Sequence, residues 1–227
     1  MKKIRFVIGT RKNRNAFFTN TAAGNSIPLS NDPMVELVLF PENTAGLSKI
    51  YNIAIEESIN DPAILIFMHD DVHMLDFFWA DQILNSLNKF DIVGLAGNKR
   101  RAPNQPAWAF IDEKFTWDKF ENLSGVIGHG KCFPPSNLSV FGPPGQEVKL
   151  LDGMLLATYS ETLIKNNIRF DERFDFHFYD LDFCRQAELA NLKMGTWPLS
   201  VIHESIGNFG SEGWINGYQT YFDKWKE

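Results

Sequence analysis

Short apolar runs alternate with amphipathic segments along the first hundred residues. The apolar runs have the length of buried strands, and they lie at 4–8, 35–40, 64–68 and 92–95. The run at 64–68 is apolar throughout, which is typical of a central parallel strand that is covered on both faces. The alternation predicts an α/β fold of the Rossmann-like kind, in which a mixed and mostly parallel sheet carries helices on both faces.

Three helices are predicted: the first is opened by residues 43–46 and runs to about 58, and the others lie at about 77–87 and 181–194. The first shows apolar side chains at i, i+3, i+4 and i+7 from Leu47 to Ala54, which is one face of a helix. The third is expected to end at Gly195, because glycine commonly follows the last helical residue. The polar segment 11–33 is expected to be irregular, and a last strand is expected at 200–202.

The 227 residues are expected to form a single domain with two additions. Six of the eleven prolines fall in one segment, which predicts an irregular insertion at about 101–149. A C-terminal flap is predicted at about 204–227, where three glycines surround Trp214. The glycines favour a mobile flap whose tryptophan stacks on a sugar ring. The alternative is a tail that packs Trp214 and Tyr218 onto the domain.

Composition and charge exclude several classes of protein. The 22 Lys and Arg against 28 Asp and Glu give a net charge of −6, which argues against binding to nucleic acid, because its phosphates need clustered cations. The longest apolar run, 63–68, is far shorter than the roughly 20 residues of a membrane span. No integral membrane segment is therefore expected, although peripheral membrane association stays compatible. With two cysteines and no signal-peptide pattern, a cytoplasmic protein is expected.

The segment 69–73 concentrates groups that bind metals. It reads His-Asp-Asp-Val-His and directly follows the apolar run at 64–68. In an extended chain His69, Asp71 and His73 would point to the same side, and a carboxylate with imidazoles suits Mn²⁺ or a similar ion. Ligands of open α/β sheets bind beyond the carboxyl ends of the strands, which favours a site here. The alternative is structural, with the two aspartates capping the following turn.

Two further candidates come later in the chain. Asp180 sits where a helix is expected to begin, so it can cap that helix, and the helix terminus would keep its pKa low. The same carboxylate could accept a proton from an attacking hydroxyl. Asp182 points about 200° away around the helix axis and is expected to hold the backbone or Arg185 instead. His203 follows the last strand, where a lone histidine is more often structural than a ligand.

Taken in order, these motifs resemble those of nucleotide-sugar glycosyltransferases with the A-type fold. The chain is most similar to bacterial family-2-like members that carry H-x-D-V in place of D-x-D. The matching motifs are N-x-x-G-L at 43–47, H-x-D-V at 69–72, D-G-M at 152–154 and F-D-E-x-F at 170–174, followed by Y-D-L-D-F-C-R at 179–185, which resembles the family's E-D-x-D-x-C-x-R. The likeness spans about 4–207, apart from the Pro-rich insertion.

The resemblance implies a divalent metal, Mn²⁺ or Mg²⁺, and a catalytic base. Asp71 matches the last aspartate of D-x-D, which binds the ion on the donor diphosphate, and His203 matches a second protein ligand. His73 completes a D-x-H triplet with Asp71, so it competes with His69 as a ligand. Asp180 matches the general base of inverting members.

The resemblance also implies substrate sites. The residues expected to bind the donor are Thr10, Arg11, Glu42, Asn43, Gly46, His69 and Asp70. The residues expected at the acceptor or the sugar are Asp152, Gly153, Tyr179 and Trp214. Two positions depart from the family pattern, because Tyr179 replaces the usual glutamate and His69 replaces the first aspartate of D-x-D.

The implied function is metal-dependent transfer of a sugar from a nucleoside-diphosphate donor, a UDP-sugar, to an acceptor hydroxyl with inversion. The acceptor, whether a glycan, a lipid-linked molecule or a protein, is left open, and a retaining mechanism is left open as an alternative to inversion. One alternative is a degenerate transferase that binds nucleotide or carbohydrate without catalysis, which the changes at 69 and 179 favour slightly. Another is a metal-dependent hydrolase that uses Asp70, Asp71, His73 and His203.

Overall fold

The computed structural model describes residues 3–27, 33–205 and 207–226, which form two β-sheets flanked by helices. The strands are β1 Ile4–Gly9, β2 Val35–Phe40, β3 Ile64–Met68, β4 Val72–Met74, β5 Ile92–Gly94, β6 Ala96–Asn98, β7 Leu123–His129, β8 Asn137–Gly142, β9 Glu147–Val148, β10 Leu150–Leu151, β11 Leu155–Tyr159, β12 Met194–Thr196 and β13 Val201–His203. The helices are α1 Arg14–Asn20, α2 Ala22–Ser26, α3 Leu47–Glu57, α4 Trp79–Leu87, α5 Ser160–Lys165, α6 Tyr179–Leu189 and α7 Glu212–Trp225.

The larger sheet has the strand order β2-β1-β3-β11-β5-β12-β9. Strands β2, β1 and β3 are parallel neighbours, as the alternating pattern predicts, and β3 is buried along its whole length. Strand β11 runs antiparallel to both β3 and β5. The mixed α/β class is therefore confirmed, but its antiparallel share is larger than predicted, because β11 enters the middle of the sheet from the opposite direction.

The smaller sheet corrects the prediction of an irregular insertion at 101–149. Its order is β10-β6-β7-β13-β4, with β8 paired to β7. Strands β7 and β8 lie inside the Pro-rich segment and form an antiparallel pair. The prolines fall outside both strands, so they do not interrupt the ladder of hydrogen bonds. Strand β7 also pairs in parallel with β13, which ties the insertion to the end of the domain.

The segment 11–33 was predicted to be irregular, but its described part at 11–27 contains α1 and α2, whereas residues 28–32 lie outside the described residues. Each short helix begins with a side-chain cap: Asn13 accepts a hydrogen bond from the N–H of Ala16 at 2.9 Å, and Thr21 accepts from Gly24 at 3.0 Å. Phe17 is buried, whereas most other side chains of α1 face solvent. Helices this short show little apolar periodicity, so caps are the better signal.

Two predicted helix boundaries are wrong. Helix α6 ends at Leu189, and Asn191 follows in the left-handed region at φ 58°. Gly195 instead lies in β12, where a Cβ would collide with the ring of Phe90. Helix α4 begins at Trp79 rather than at 77, and Phe78, which precedes it, is 70% exposed.

A buried aromatic cluster joins α3, β3 and α6. The Tyr51 ring lies 4.8 Å from that of Phe67, and the Phe67 ring lies 5.0 Å from that of Phe170. Phe170 in turn stacks on Phe183 of α6, with 4.4 Å between centroids. These contacts fix the start of α6 against the carboxyl end of β3, which is where the candidate site residues lie.

The C-terminal tail forms α7, which packs onto the domain. Trp214 and Tyr221 are buried, and the Trp214 ring stacks on Tyr218 with 5.5 Å between centroids. The far end of α7 is fastened to Asp182 of α6, which accepts hydrogen bonds from Trp225 Nε1 at 2.9 Å and pairs with Lys224 Nζ at 2.5 Å. The packed tail therefore describes this structure, while closure of a flap over a donor stays a prediction.

We expect the substitution Asp182→Asn to lower the free energy of unfolding by about 2 kcal/mol, because it weakens a fully buried, charge-assisted contact. Urea denaturation followed by circular dichroism measures the change. Asp223→Asn is the matched control, since the Asp223 side chain is exposed and accepts a hydrogen bond from Gln219 within the same helix. Equal stability losses in the two variants would contradict this role of Asp182.

Candidate functional site

Three side chains from two distant parts of the chain, around 70 and at 203, converge beyond the carboxyl end of β3. His203 Nε2 lies 3.4 Å from Asp71 Oδ1, and His69 Nδ1 lies 3.9 Å from the same oxygen. One ligand atom from each residue lies within 4.8 Å of the others. The antiparallel pairing of β4 with β13 places His203 beside Val72, and the N–H of Glu204 donates to the Asp71 carbonyl at 3.0 Å.

The donor atoms of this group fit a divalent cation. Asp71 Oδ1 is buried and has no hydrogen-bond partner among the residues that the structure describes. An orphaned carboxylate oxygen beside two imidazole nitrogens is a donor set that suits Mn²⁺ or a similar ion.

His73 does not join this group. The chain turns after His69 before it enters β4, so the alternation expected for extended chain does not hold across 69–73. Within β4, Val72 and Met74 are buried on one side, and His73 points to the other. Asp70 turns away as well, since it accepts a hydrogen bond from Thr10 Oγ1 at 2.6 Å.

Asp71 and His203 stabilise each other's charged forms. Burial alone would raise the pKa of Asp71, but the neighbouring His203 and His69 outweigh it and hold that pKa well below its usual range. Burial lowers the pKa of His203, yet the Asp71 carboxylate outweighs this effect and raises it. Burial lowers the pKa of His69, so this imidazole is neutral at pH 7.

Asp180 lies in the first turn of α6 but is not its cap. The cap position is Phe178, in the left-handed region at φ 66°. Asp180 accepts hydrogen bonds from the N–H of Gly153 and of Leu181, both at 2.9 Å. Burial and the negative charge of Asp152 nevertheless raise the pKa of Asp180 to about 7, so the prediction of a low pKa is wrong. A carboxylate of this pKa is matched to proton transfer at neutral pH.

A cavity of about 420 Å³ brings the cation group and Asp180 together. His69, Asp71, His203, Asp152 and Asp180 contribute polar groups to its wall. Aromatic side chains complete the lining, namely Trp108, Phe176, Phe178, Tyr179, Phe209 and Trp214. Indole and phenyl faces pack well against the C–H faces of sugar rings, so the lining suits a carbohydrate.

A second cleft of about 480 Å³ holds most of the residues predicted to bind the donor. Its lining includes Thr10, Arg11, Asn43, Gly46 and Asp70. Glu42 is exposed and is not among the described residues that line this cleft. Its backbone at φ 49° turns the chain from β2 toward Asn43.

Several residues that line the cavity or the donor cleft were not predicted from the sequence. Phe176 borders both spaces and stacks on the His69 ring, with 5.7 Å between centroids. Asp175 and Lys12 line the donor cleft. Trp108 donates from Nε1 to Asp152 at 2.6 Å, which holds that carboxylate at the cavity wall. Trp108 belongs to the insertion, where only the density of aromatic residues hints at a binding role.

A family model described as a glycosyltransferase-like family matches residues 6–206. The chain belongs to this glycosyltransferase-like family. The match covers the cation group, Asp180 and the donor cleft, and it ends before α7. No curated protein matches the chain. In the parts of the chain that the structure describes, no helix combines the length and apolar character needed to cross a membrane.

Two solved structures resemble this chain at low sequence identity. GalNAc-T7, crystallised with UDP, GalNAc and Mn²⁺, has a TM-score of 0.53 at 10% identity, over 98% of this chain and 48% of its own. S. aureus TarS, residues 1–349, has a TM-score of 0.49 at 12% identity, over 89% of this chain and 60% of its own. The chain thus spans about half the length of these proteins. GalNAc-T7 confirms the A-type glycosyltransferase fold.

We expect His69→Ala to weaken Mn²⁺ binding by roughly tenfold or more, because one of three converging donor atoms is lost. Asp71→Ala should abolish binding, since it removes the oxygen between the two imidazoles. Isothermal titration of EDTA-treated protein with MnCl₂ measures both affinities.

His73→Ala is the matched control, because His73 lies two residues from Asp71 and points away from the group. We expect it to bind Mn²⁺ as the unaltered protein does. A larger loss from His73→Ala than from His69→Ala would contradict the assignment of His69.

Proposed function

We propose that the protein is a divalent-metal-dependent glycosyltransferase that moves a sugar from a UDP-sugar to an acceptor hydroxyl with inversion. The observation that carries the proposal is one cavity with two features: a half-buried nitrogen–oxygen group that fits a cation, and a carboxylate whose pKa lies near 7. The shared fold with GalNAc-T7, whose crystal structure contains UDP and Mn²⁺, supports the donor and the metal.

The donor would bind across the two spaces. Arg11 and Lys12 bring positive charge to the cleft next to Asp70, which suits the diphosphate of a nucleotide sugar. His69, Asp71 and His203 would hold the cation at the neighbouring end of the cavity. A bound divalent cation supplies neutralisation of the charge that develops on the leaving diphosphate.

Asp180 would accept the proton of the acceptor hydroxyl. Its two backbone hydrogen bonds hold the carboxylate in place at the cavity wall. A hydroxyl group becomes a competent nucleophile when a positioned base takes its proton in the transition state. A single base on one side of the sugar predicts one displacement, and therefore inversion at the anomeric carbon.

A donor screen tests the proposal. Purified protein is incubated with a panel of nucleotide sugars, acceptor mixtures and Mn²⁺, with Mg²⁺ and EDTA in parallel, and products are identified by mass. We expect a metal-dependent glycosylated product from a UDP-sugar. Thermal stabilisation by UDP and Mn²⁺ without any product would indicate a degenerate transferase. Turnover at the same rate with and without acceptor would indicate a hydrolase.

We expect Asp180→Asn to lower the transfer rate by roughly 10²-fold or more, because the amide cannot take a proton. Donor affinity should be unchanged. Steady-state kinetics with UDP release as the signal measures the transfer rate and the KM for the donor. Asp182→Asn serves as the comparison, because it changes the same residue type two positions further on but faces α7 rather than the cavity. Near-normal transfer by Asp180→Asn would refute its role as base.

The pH dependence of kcat/KM should report the titration of Asp180. The carboxylate is the active form, so the rate should rise with pH through about 7. Asp152→Asn removes the negative charge that helps to keep the proton on Asp180, so its pKa falls and the rise moves to lower pH. Profiles from pH 5.5 to 9 measure the shift, and an unchanged limb would show that another group titrates.

A further inference from the structure

The two departures from the family motifs contact each other. His69 stands where D-x-D has its first aspartate, and Tyr179 stands where the second motif has its glutamate. They are 110 positions apart in sequence, yet His69 Nε2 lies 2.8 Å from Tyr179 Oη. Tyr179 is only 2% exposed, so water has little access to replace this hydrogen bond.

The hydrogen bonds of Tyr179 determine which imidazole nitrogen carries the proton. Tyr179 Oη donates its proton to the carbonyl of Gly153 at 2.8 Å. With that proton used, the phenol oxygen can only accept from His69, which must therefore donate from Nε2. Nδ1 of the neutral ring then carries a lone pair, and this is the nitrogen that lies 3.9 Å from Asp71 Oδ1.

The surroundings of the pair leave little freedom for another arrangement. The His69 ring stacks on Phe176 with an interplanar angle of 24°. Gly153 is required on the other side, because a Cβ there would collide with Tyr179 Oη. An aspartate at position 69 would have no ring N–H to offer the phenol, so the residues at 69 and 179 depend on each other.

We propose that Tyr179 is a positioning residue for the cation site. Its phenol oxygen holds His69 in the Nε2–H form and so directs Nδ1 at a divalent cation between His69, Asp71 and His203. The inference rests on the proposed function, because it requires a cation in this group. It gives Tyr179, at the cavity wall, the role of orienting His69 in place of the acceptor contact that the sequence predicts.

Titration of EDTA-treated protein with MnCl₂ alone tests the proposal as a double-mutant cycle. We expect Tyr179→Phe to weaken Mn²⁺ binding by roughly 10- to 100-fold, the range for partners that orient metal ligands. In the His69→Ala background, Tyr179→Phe should cause no further loss, because it acts through the imidazole. Tyr221→Phe is the control, since Tyr221 is also buried but does not line the cavity. It should bind Mn²⁺ normally.

A second measurement reports the tautomer directly and does not depend on activity or on metal binding. Long-range ¹H–¹⁵N spectra of ¹⁵N-histidine-labelled protein report the tautomer of each of the five histidines, and His69→Gln identifies the signals of His69. We expect the Nε2–H form for His69 in the unaltered protein at pH 7.5. In Tyr179→Phe the signals should shift toward a mixture of the two tautomers.

The outcomes separate this inference from the proposed function. An unaltered protein that binds no Mn²⁺ would overturn the cation site and this inference with it. An unaltered protein that binds Mn²⁺, with equal affinity in Tyr179→Phe, would overturn the inference alone. An Nδ1–H tautomer at His69 would do the same, as would a full additional loss from Tyr179→Phe in the His69→Ala background.

Discussion

The pairing of β4 with β13 is the contact on which the site depends. It brings His203 beside Val72, and the N–H of Glu204 donates to the Asp71 carbonyl. Side chains from two distant parts of the chain therefore meet at the site. Strand β13 also pairs with β7 of the insertion, which supports it from the other side. Without this pairing, Asp71 and His69 would form an exposed turn after β3, and the carboxylate would have no imidazole partner from β13.

The start of α6 gives three neighbouring residues three different surroundings. Phe178 takes a left-handed backbone conformation, and Tyr179 then points back to His69 while Asp180 binds the N–H of Gly153. Asp182 faces the opposite way and fastens α7. The aromatic cluster around Phe170 holds this turn in place. A difference of one position in the helix therefore separates a residue that orients a ligand from one that carries a titratable group with a pKa near 7.

Local patterns in the sequence were sufficient for the parallel strands β1 to β3, which are mainly apolar and contain only Arg5 and Glu36 as charged residues, and for the helix that follows β2. They were insufficient for β7 and β8, because prolines near a strand say nothing about the strand itself. The meeting of Asp71 with His203 was expected only through the family resemblance. The pKa of Asp180 could not be foreseen, since it depends on burial and on the charge of Asp152. The orientation of His73 away from the cation group depends on the turn after His69, which the pattern of residue types at 69–73 does not reveal.

The contacts of Lys224 and Trp225 with Asp182 fix the C-terminal end of α7 to α6. Trp214 and Trp225 are separated by about 16 Å along the axis, at 1.5 Å per residue. At that distance a tilt of 10° about the tethered end corresponds to a displacement of about 3 Å at the Trp214 ring, which packs against Phe115 and Phe178. The width of the cavity beside Trp214 therefore depends on the tilt of α7.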